Sequence, residues 1–147
     1  MLLTEDQIIE NVHIESTRPI YIISRSNKDL NTLTFRNVKI TTPHIFANNF
    51  TIFMSNVEII SSGISIRFSN VIFNHDIIFK SSAIYIDYSN IYLTYKLDRF
   101  EFDEDSYIII SNTIVFISVD KDRFKQEYIF KYNKIPGFTR RSRYKIL

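Results

Sequence analysis

The chain has 147 residues, a net charge of +2, no cysteine, no tryptophan and two glycines. That length supports one compact domain, and a composition 45% hydrophobic and 15% aromatic can bury a core, which excludes global disorder. The lack of cysteine excludes a disulfide framework, a thiolate metal site and a cysteine nucleophile, and two glycines cannot build a phosphate-cradling loop.

Ile, Phe, Thr, Tyr and Val make up 65 of the 147 residues, whereas Ala, Leu, Met and Glu make up only 18. β-Branched and aromatic side chains lose rotamer freedom in a helix and pack well on a pleated surface, so the expected fold is mainly β. Ile, Asn, Lys, Phe and Tyr, all with AT-rich codons, supply 70 residues. That bias points to an AT-rich genome of an organelle, a virus or a microbe.

The first fifteen residues, MLLTEDQIIENVHIE, hold four acids and no base, unlike a secretory signal or an Arg-rich transit peptide. Organelle-encoded, viral and cytoplasmic locations all stay open. Thr4 and Gln7 have capping-box spacing ahead of Ile8 and Ile9, which predicts a short N-terminal helix. Five segments then share one pattern: LTFRNVKI at Asn37, IFMSNVEI at Asn56, IRFSNVIF at Asn70, IDYSNIYL at Asn90 and YIIISNTIVF at Asn112. A weaker copy, IIENVHI, surrounds Asn11. Apolar residues alternate on both sides of each Asn, so each Asn sits between two short strands.

Asn is the non-glycine residue that best tolerates the left-handed region. One such residue turns an extended chain while apolar side chains stay inward on both sides. Stacked on the next turn, its amide can donate and accept along a ladder. These segments resemble the repeats of the pectate-lyase-type right-handed parallel β-helix, over residues 33–119. The resemblance implies a small solenoid and carries no catalytic residue. The intervals between successive Asn residues, starting at Asn11, are 26, 19, 14, 20 and 22 residues, and the 14-residue one is too short for a full coil. VEIISSGISIRF can equally form a hairpin at Gly63. With further hairpins at Thr41-Thr42-Pro43 and Asn74-His75-Asp76, the alternative is an antiparallel sandwich or barrel.

The acidic run Asp98, Glu101, Asp103, Glu104, Asp105 reads as a solvated loop, because its spacing matches no calcium-ligand loop. Residues 107–119 form the longest apolar run, broken by Ser111, Asn112 and Thr113 and short of a membrane span. The repeat ends near residue 120, which divides a solenoid domain with a lead-in (1–120) from a cap segment and basic tail (121–147). In the latter, Asp120 can cap a helix bearing Phe124, Tyr128 and Tyr132, stopped by Pro136-Gly137, although an alternating strand over 127–132 fits as well. Residues 1–120 hold nine bases and fourteen acids; residues 121–147 hold nine bases and two acids. Arg140, Arg141, Arg143 and Lys145 are the expected partner-binding tail.

Catalytic signals are few. His13, His44 and His75 stand far apart and form no HExxH pair. His75 and Asp76 could do acid–base work, but a turn accounts for them more simply, and Asp87 is expected to face solvent. No catalytic residue, metal ligand or cofactor is assigned. The expected function is a non-enzymatic structural or assembly subunit contacting other protein subunits. The alternatives are a module binding nucleic acid through the basic tail or glycan on exposed aromatics, and a fragment-like carbohydrate-active β-helix.

Overall fold

The computed structural model describes residues 1–24 and 30–118, and the backbone of 143–146. The strands are β1 (Leu2–Leu3), β2 (Gln7–Glu15), β3 (Ile20–Ile23), β4 (Asn31–Thr41), β5 (His44–Asn48), β6 (Phe50–Ile60) and β7 (Gly63–Arg67). They continue as β8 (Asn70–Lys80), β9 (Ala83–Asp87), β10 (Asn90–Leu93), β11 (Phe100–Phe102), β12 (Tyr107–Ser111), β13 (Ile114–Ile117) and β14 (Arg143–Ile146). Each strand pairs with the one a coil away, always in parallel. The molecule is a parallel β-solenoid of about six turns.

Two sheets result. Sheet A is short-stranded, in the order β1-β3-β5-β7-β9-β12; sheet B runs β14-β13-β10-β8-β6-β4-β2, with β11 added on β8. The long strands β4, β6 and β8 bend in the middle, so a coil has three sides. This layout explains the isoleucine content. Ile20, Ile45, Ile64, Ile84 and Ile108 align across sheet A, and Ile22, Ala47, Ile66, Ile86 and Ile110 form the next inward row. Sheet B adds Leu33, Ile52, Val71, Ile91 and Val115 before its bend and Val38, Val57, Ile77 and Phe100 after it. All but Phe100 of these are buried. Burying such a side chain is worth about 1.5–3 kcal/mol, and β-branched chains stack in register without leaving the preferred rotamers of a strand.

Residues in the left-handed region let the chain turn while keeping those rows inward. In β4, Phe35 and Val38 both point into the core, because Asn37 at φ 55° adds a second outward residue between them. Two rows of hydroxyls, all buried but that of half-buried Ser106, hold the corners at the ends of sheet A. Phe50 N–H donates to Ser69 Oγ, Ser69 N–H to Ser89 Oγ and Ser89 N–H to Thr113 Oγ1 at 3.2, 3.2 and 3.3 Å. At the opposite corner Ser61 N–H donates to Ser82 Oγ and Ser82 N–H to Ser106 Oγ at 3.1 and 3.0 Å. Each hydroxyl replaces a ladder acceptor that the turning backbone cannot offer.

Several expectations change. The N-terminal helix does not form: residues 7–15 are strand β2, since pairing on β4 satisfies backbone groups that a short isolated helix leaves open. The antiparallel alternative is overturned, because β7 pairs with β5 and β9 and never with β6. No hairpin forms at 74–76, which lie inside β8. Within the acidic run, Phe100–Phe102 is a strand on β8. The C-terminal helix and its aromatic stripe lie outside the described residues. At the N-terminal end Val12 occupies an inward position but is 45% exposed, against 3% for its neighbour Val38, because no described coil covers it.

Candidate functional site

The five repeated Asn residues occupy three positions at two corners. Asn37 and Asn56, with Asn11, lie at the sheet B bend, all near φ 55–57°. Asn37 Nδ2 donates to Asn11 Oδ1 at 3.1 Å, and Asn56 Nδ2 to Asn37 Oδ1 at 2.9 Å. Asn112, at φ 48°, lies in a second left-handed row with Asn49, Phe68 and Tyr88, at the exit of sheet A. Its amide donates to Asp87 Oδ1 at 3.1 Å. Asn70 and Asn90 are not in the left-handed region; they open β8 and β10, where Asn90 Nδ2 donates to Asn70 Oδ1 at 3.1 Å. The expected single ladder is therefore two amide ladders, with Asn112 standing two register positions ahead of the second. This removes the puzzle of the 14-residue interval: Asn56 and Asn70 never stack, and each bonds a partner 19 residues away.

An open groove of about 450 Å³ runs along the bend, lined by Asn11, Asn37, Asn56, Lys39, Glu58, Asp76 and Arg99 among others. Glu58 lies between Lys80, which hydrogen-bonds it, and Lys39 at 3.6 Å. The Lys80 hydrogen bond is the main cause holding the Glu58 carboxyl below its ordinary range, and it raises Lys80 in turn. A carboxylate so neutralised is a poor general base. At the end of the ladder, one residue before the position opposite Asn56, His75 Nδ1 meets Asn56 Oδ1 at 2.7 Å. Asp76 Oδ1 is 3.6 Å from that nitrogen, and Asp98 Oδ2 is 3.9 Å from Nε2. Sequence reading assigned no metal ligands here, because a loop 22 residues away supplies Asp98.

The acidic run is partly structural. Asp103 accepts from Ser81 N–H at 3.0 Å and from Ser106 Oγ at 2.6 Å, and the Ser106 bond is the first cause of its lowered pKa. Asp87 also does more than face solvent: it accepts from Ser111 and Asn112 and lies 3.9 Å from Arg67.

A second surface was not anticipated residue by residue. The outer face of sheet A exposes Tyr21, Phe46, Tyr85 and Tyr107, with Phe68 and Tyr88 at its edge. Tyr21 and Phe46 stack at 5.4 Å, and Phe68 and Tyr88 at 5.5 Å with Arg67 beside both rings. Tyr85 and Tyr107 share a hydroxyl hydrogen bond of 2.7 Å, the first cause of the raised Tyr85 pKa. In-register neighbours on adjacent strands bring these rings together; alternation within one strand shows only that they face outward.

Of the expected tail, Arg143 and Lys145 belong to β14, whose backbone pairs with Ile114 and Phe116 of β13; Arg140 and Arg141 lie outside the described residues. Among the described residues no helix is long and apolar enough to cross a membrane. No protein-family model, curated protein or solved structure matches this chain.

Proposed function

We propose that the chain is a non-enzymatic structural subunit of a larger assembly that docks on another protein through the aromatic outer face of sheet A. The observation that carries this reading is the row of exposed rings at Tyr21, Phe46, Phe68, Tyr85, Tyr88 and Tyr107, accompanied by Arg67. Tyr, Phe and Arg are among the residues enriched where proteins meet, and each aromatic ring removes a large area from water. The basic segment 140–145 supplies a second contact, suited to an acidic protein surface.

Protein is favoured over glycan by the way the rings lie. Tyr21 with Phe46 and Phe68 with Tyr88 are stacked at interplanar angles of 14° and 11°. Those inner faces are already covered by a ring, so a sugar cannot stack on them. Protein is favoured over nucleic acid by the excess of acids over bases in residues 1–120, where a nucleic-acid binder carries a basic face. The parallel coils and amide ladders support a pectate-lyase-type body, and right-handed winding follows the usual hand of parallel crossovers. The codon-linked composition supports an AT-rich organelle, viral or microbial source.

The test is the size of the native complex that a tagged chain enters, read on a density gradient. Phe46→Ser with Tyr85→Ser removes two outward rings and leaves the buried rows intact. Incorporation is expected to fall for this variant and for a chain lacking 138–147. Full incorporation of both would overturn the reading.

A further inference from the structure

Strand β8 carries one more residue at the sheet B bend than its neighbour. Met54 and Val57 of β6 pair with Phe73 and Ile77 of β8, and the register slips between Met54 and Ser55. A bulge of this kind re-aims side chains and is over-represented beside functional sites. The extra residue is Asn74, whose carbonyl and Oδ1 accept from Thr94 Oγ1 at 2.9 and 3.1 Å; His75 and Asp76 follow it at the outward positions opposite Ser55 and Asn56, at the end of the Asn ladder.

The ladder decides which nitrogen of His75 holds the proton. Asn56 gives its Nδ2–H to Asn37 Oδ1, so it presents Oδ1 to the next coil. That oxygen can only accept, so His75 Nδ1, 2.7 Å away, carries the hydrogen. The lone pair of neutral His75 is then on Nε2, which faces Asp98 Oδ2 at 3.9 Å. Asp76 Oδ1 is buried with no hydrogen-bond partner: the His75 Nδ1 proton, 3.6 Å away, is committed to Asn56, and the Arg99 guanidinium acts on Asp76 through charge alone. Asp98 is held in place by its neighbours: Leu97 is fully buried, and the Arg99 carbonyl accepts Ile77 N–H at 2.8 Å. The Arg99 guanidinium lines the groove but directs two hydrogen bonds, of 3.1 and 3.0 Å, to Glu101.

We propose that His75, Asp76 and Asp98 bind one divalent transition-metal cation of the zinc class, with Asn56 as the outer hydrogen-bond partner that orients the imidazole. One potential ligand atom from each of the three residues lies within 4.8 Å of the others. Ligand bonds of about 2.0–2.2 Å bring such atoms closer than this, so binding requires the exposed Asp98 side chain to swing inward. An imidazole with two carboxylates suits Zn²⁺ better than Ca²⁺ or Mg²⁺, which prefer oxygen alone. A ring N–H held by a fixed acceptor is the usual second-shell arrangement of a ligating histidine. The bound ion would tie the 94–99 loop to β8 and leave coordination positions open to water or to a partner's side chain.

The test is titration of the chelator-treated full chain with ZnCl₂ by calorimetry, with MgCl₂ as control and thermal unfolding measured alongside. One Zn²⁺ per chain is expected, with a rise in melting temperature that Mg²⁺ does not reproduce. His75→Gln and Asp98→Asn should each weaken Zn²⁺ by more than tenfold. Asn56→Ala should weaken it by about 10–100-fold, as loss of an outer-shell partner does. Asp98→Asn lies on the surface, so it separates loss of the ligand from loss of the fold. Zn²⁺ binding unchanged in both His75→Gln and Asp98→Asn, or Mg²⁺ binding as tightly as Zn²⁺, would overturn the proposal.

Discussion

Asn56 donates its side-chain amide to Oδ1 of Asn37 at 2.9 Å, one coil away, and both residues hold φ at 55°. The two facts depend on each other. The left-handed turn aims each amide along the solenoid axis, and the amide bond offsets part of the cost of that turn.

Asn56→Val should therefore be severe. A β-branched residue resists the left-handed region, at about 1–2 kcal/mol or more, and losing the ladder bonds adds about 1 kcal/mol for each. Asn56→Gly should keep the turn and lose only the bonds. Asn90→Val should be milder than Asn56→Val, since Asn90 opens a strand with ordinary φ. Urea unfolding of the three variants checks the order; equal losses at 56 and 90 would contradict it.

Ser89→Ala should cost about 1–3 kcal/mol despite removing one atom. Its Oγ accepts the Ser69 N–H at 3.2 Å and donates to the Asp87 carbonyl at 2.9 Å. Alanine leaves a buried N–H without an acceptor. Ser65→Ala, on the outer face between Phe46 and Tyr85, is the control and should be near neutral.

The Glu58–Lys80 pair predicts a pH effect of defined sign. The folded-state pKa of Glu58 lies below its ordinary value of 4.5, first because of the Lys80 hydrogen bond. Its contribution is fully present above about pH 4.5 and is lost as pH falls through the folded value. Lys80 is raised above 10.5, so its share is present below that pH and lost as pH rises through the folded value. Glu58→Gln should flatten the acid limb of a melting-temperature profile below pH 4.5. An unchanged acid limb would remove the pair as its cause.

Deleting 138–147 removes β14 from the edge of β13. The coils from β2 to β13 keep their own pairings, so folding should survive. The lost edge strand should lower the melting temperature by about 3 °C, in line with roughly 1 kcal/mol for a domain of this size. Global unfolding on truncation would instead make the tail part of the core.

Alternating Ile, Val and Phe, with almost no helix-forming composition, determined that the chain forms strands with one face buried, and Asn in mid-strand determined that it turns there. Those are local properties: side-chain branching and tolerance of positive φ act within a few residues. Phase was decided only in the tertiary structure. The same dipeptide, Ser-Asn, does three different things at 55–56, 69–70 and 111–112. Asn56 takes the left-handed turn at the sheet B bend, Asn70 opens a strand behind buried Ser69, and Asn112 turns at the exit of sheet A. Phe68 and Tyr88 adopt positive φ although neither residue type favours it, because the coil needs a turn directly after the Arg67 and Asp87 positions. Register with the neighbouring coil sets that need, and register is a sum over many buried rows. The grouping of His75, Asp76 and Asp98 arises in the same way: β8 and the loop before β11 are separate in sequence, and parallel stacking places them side by side.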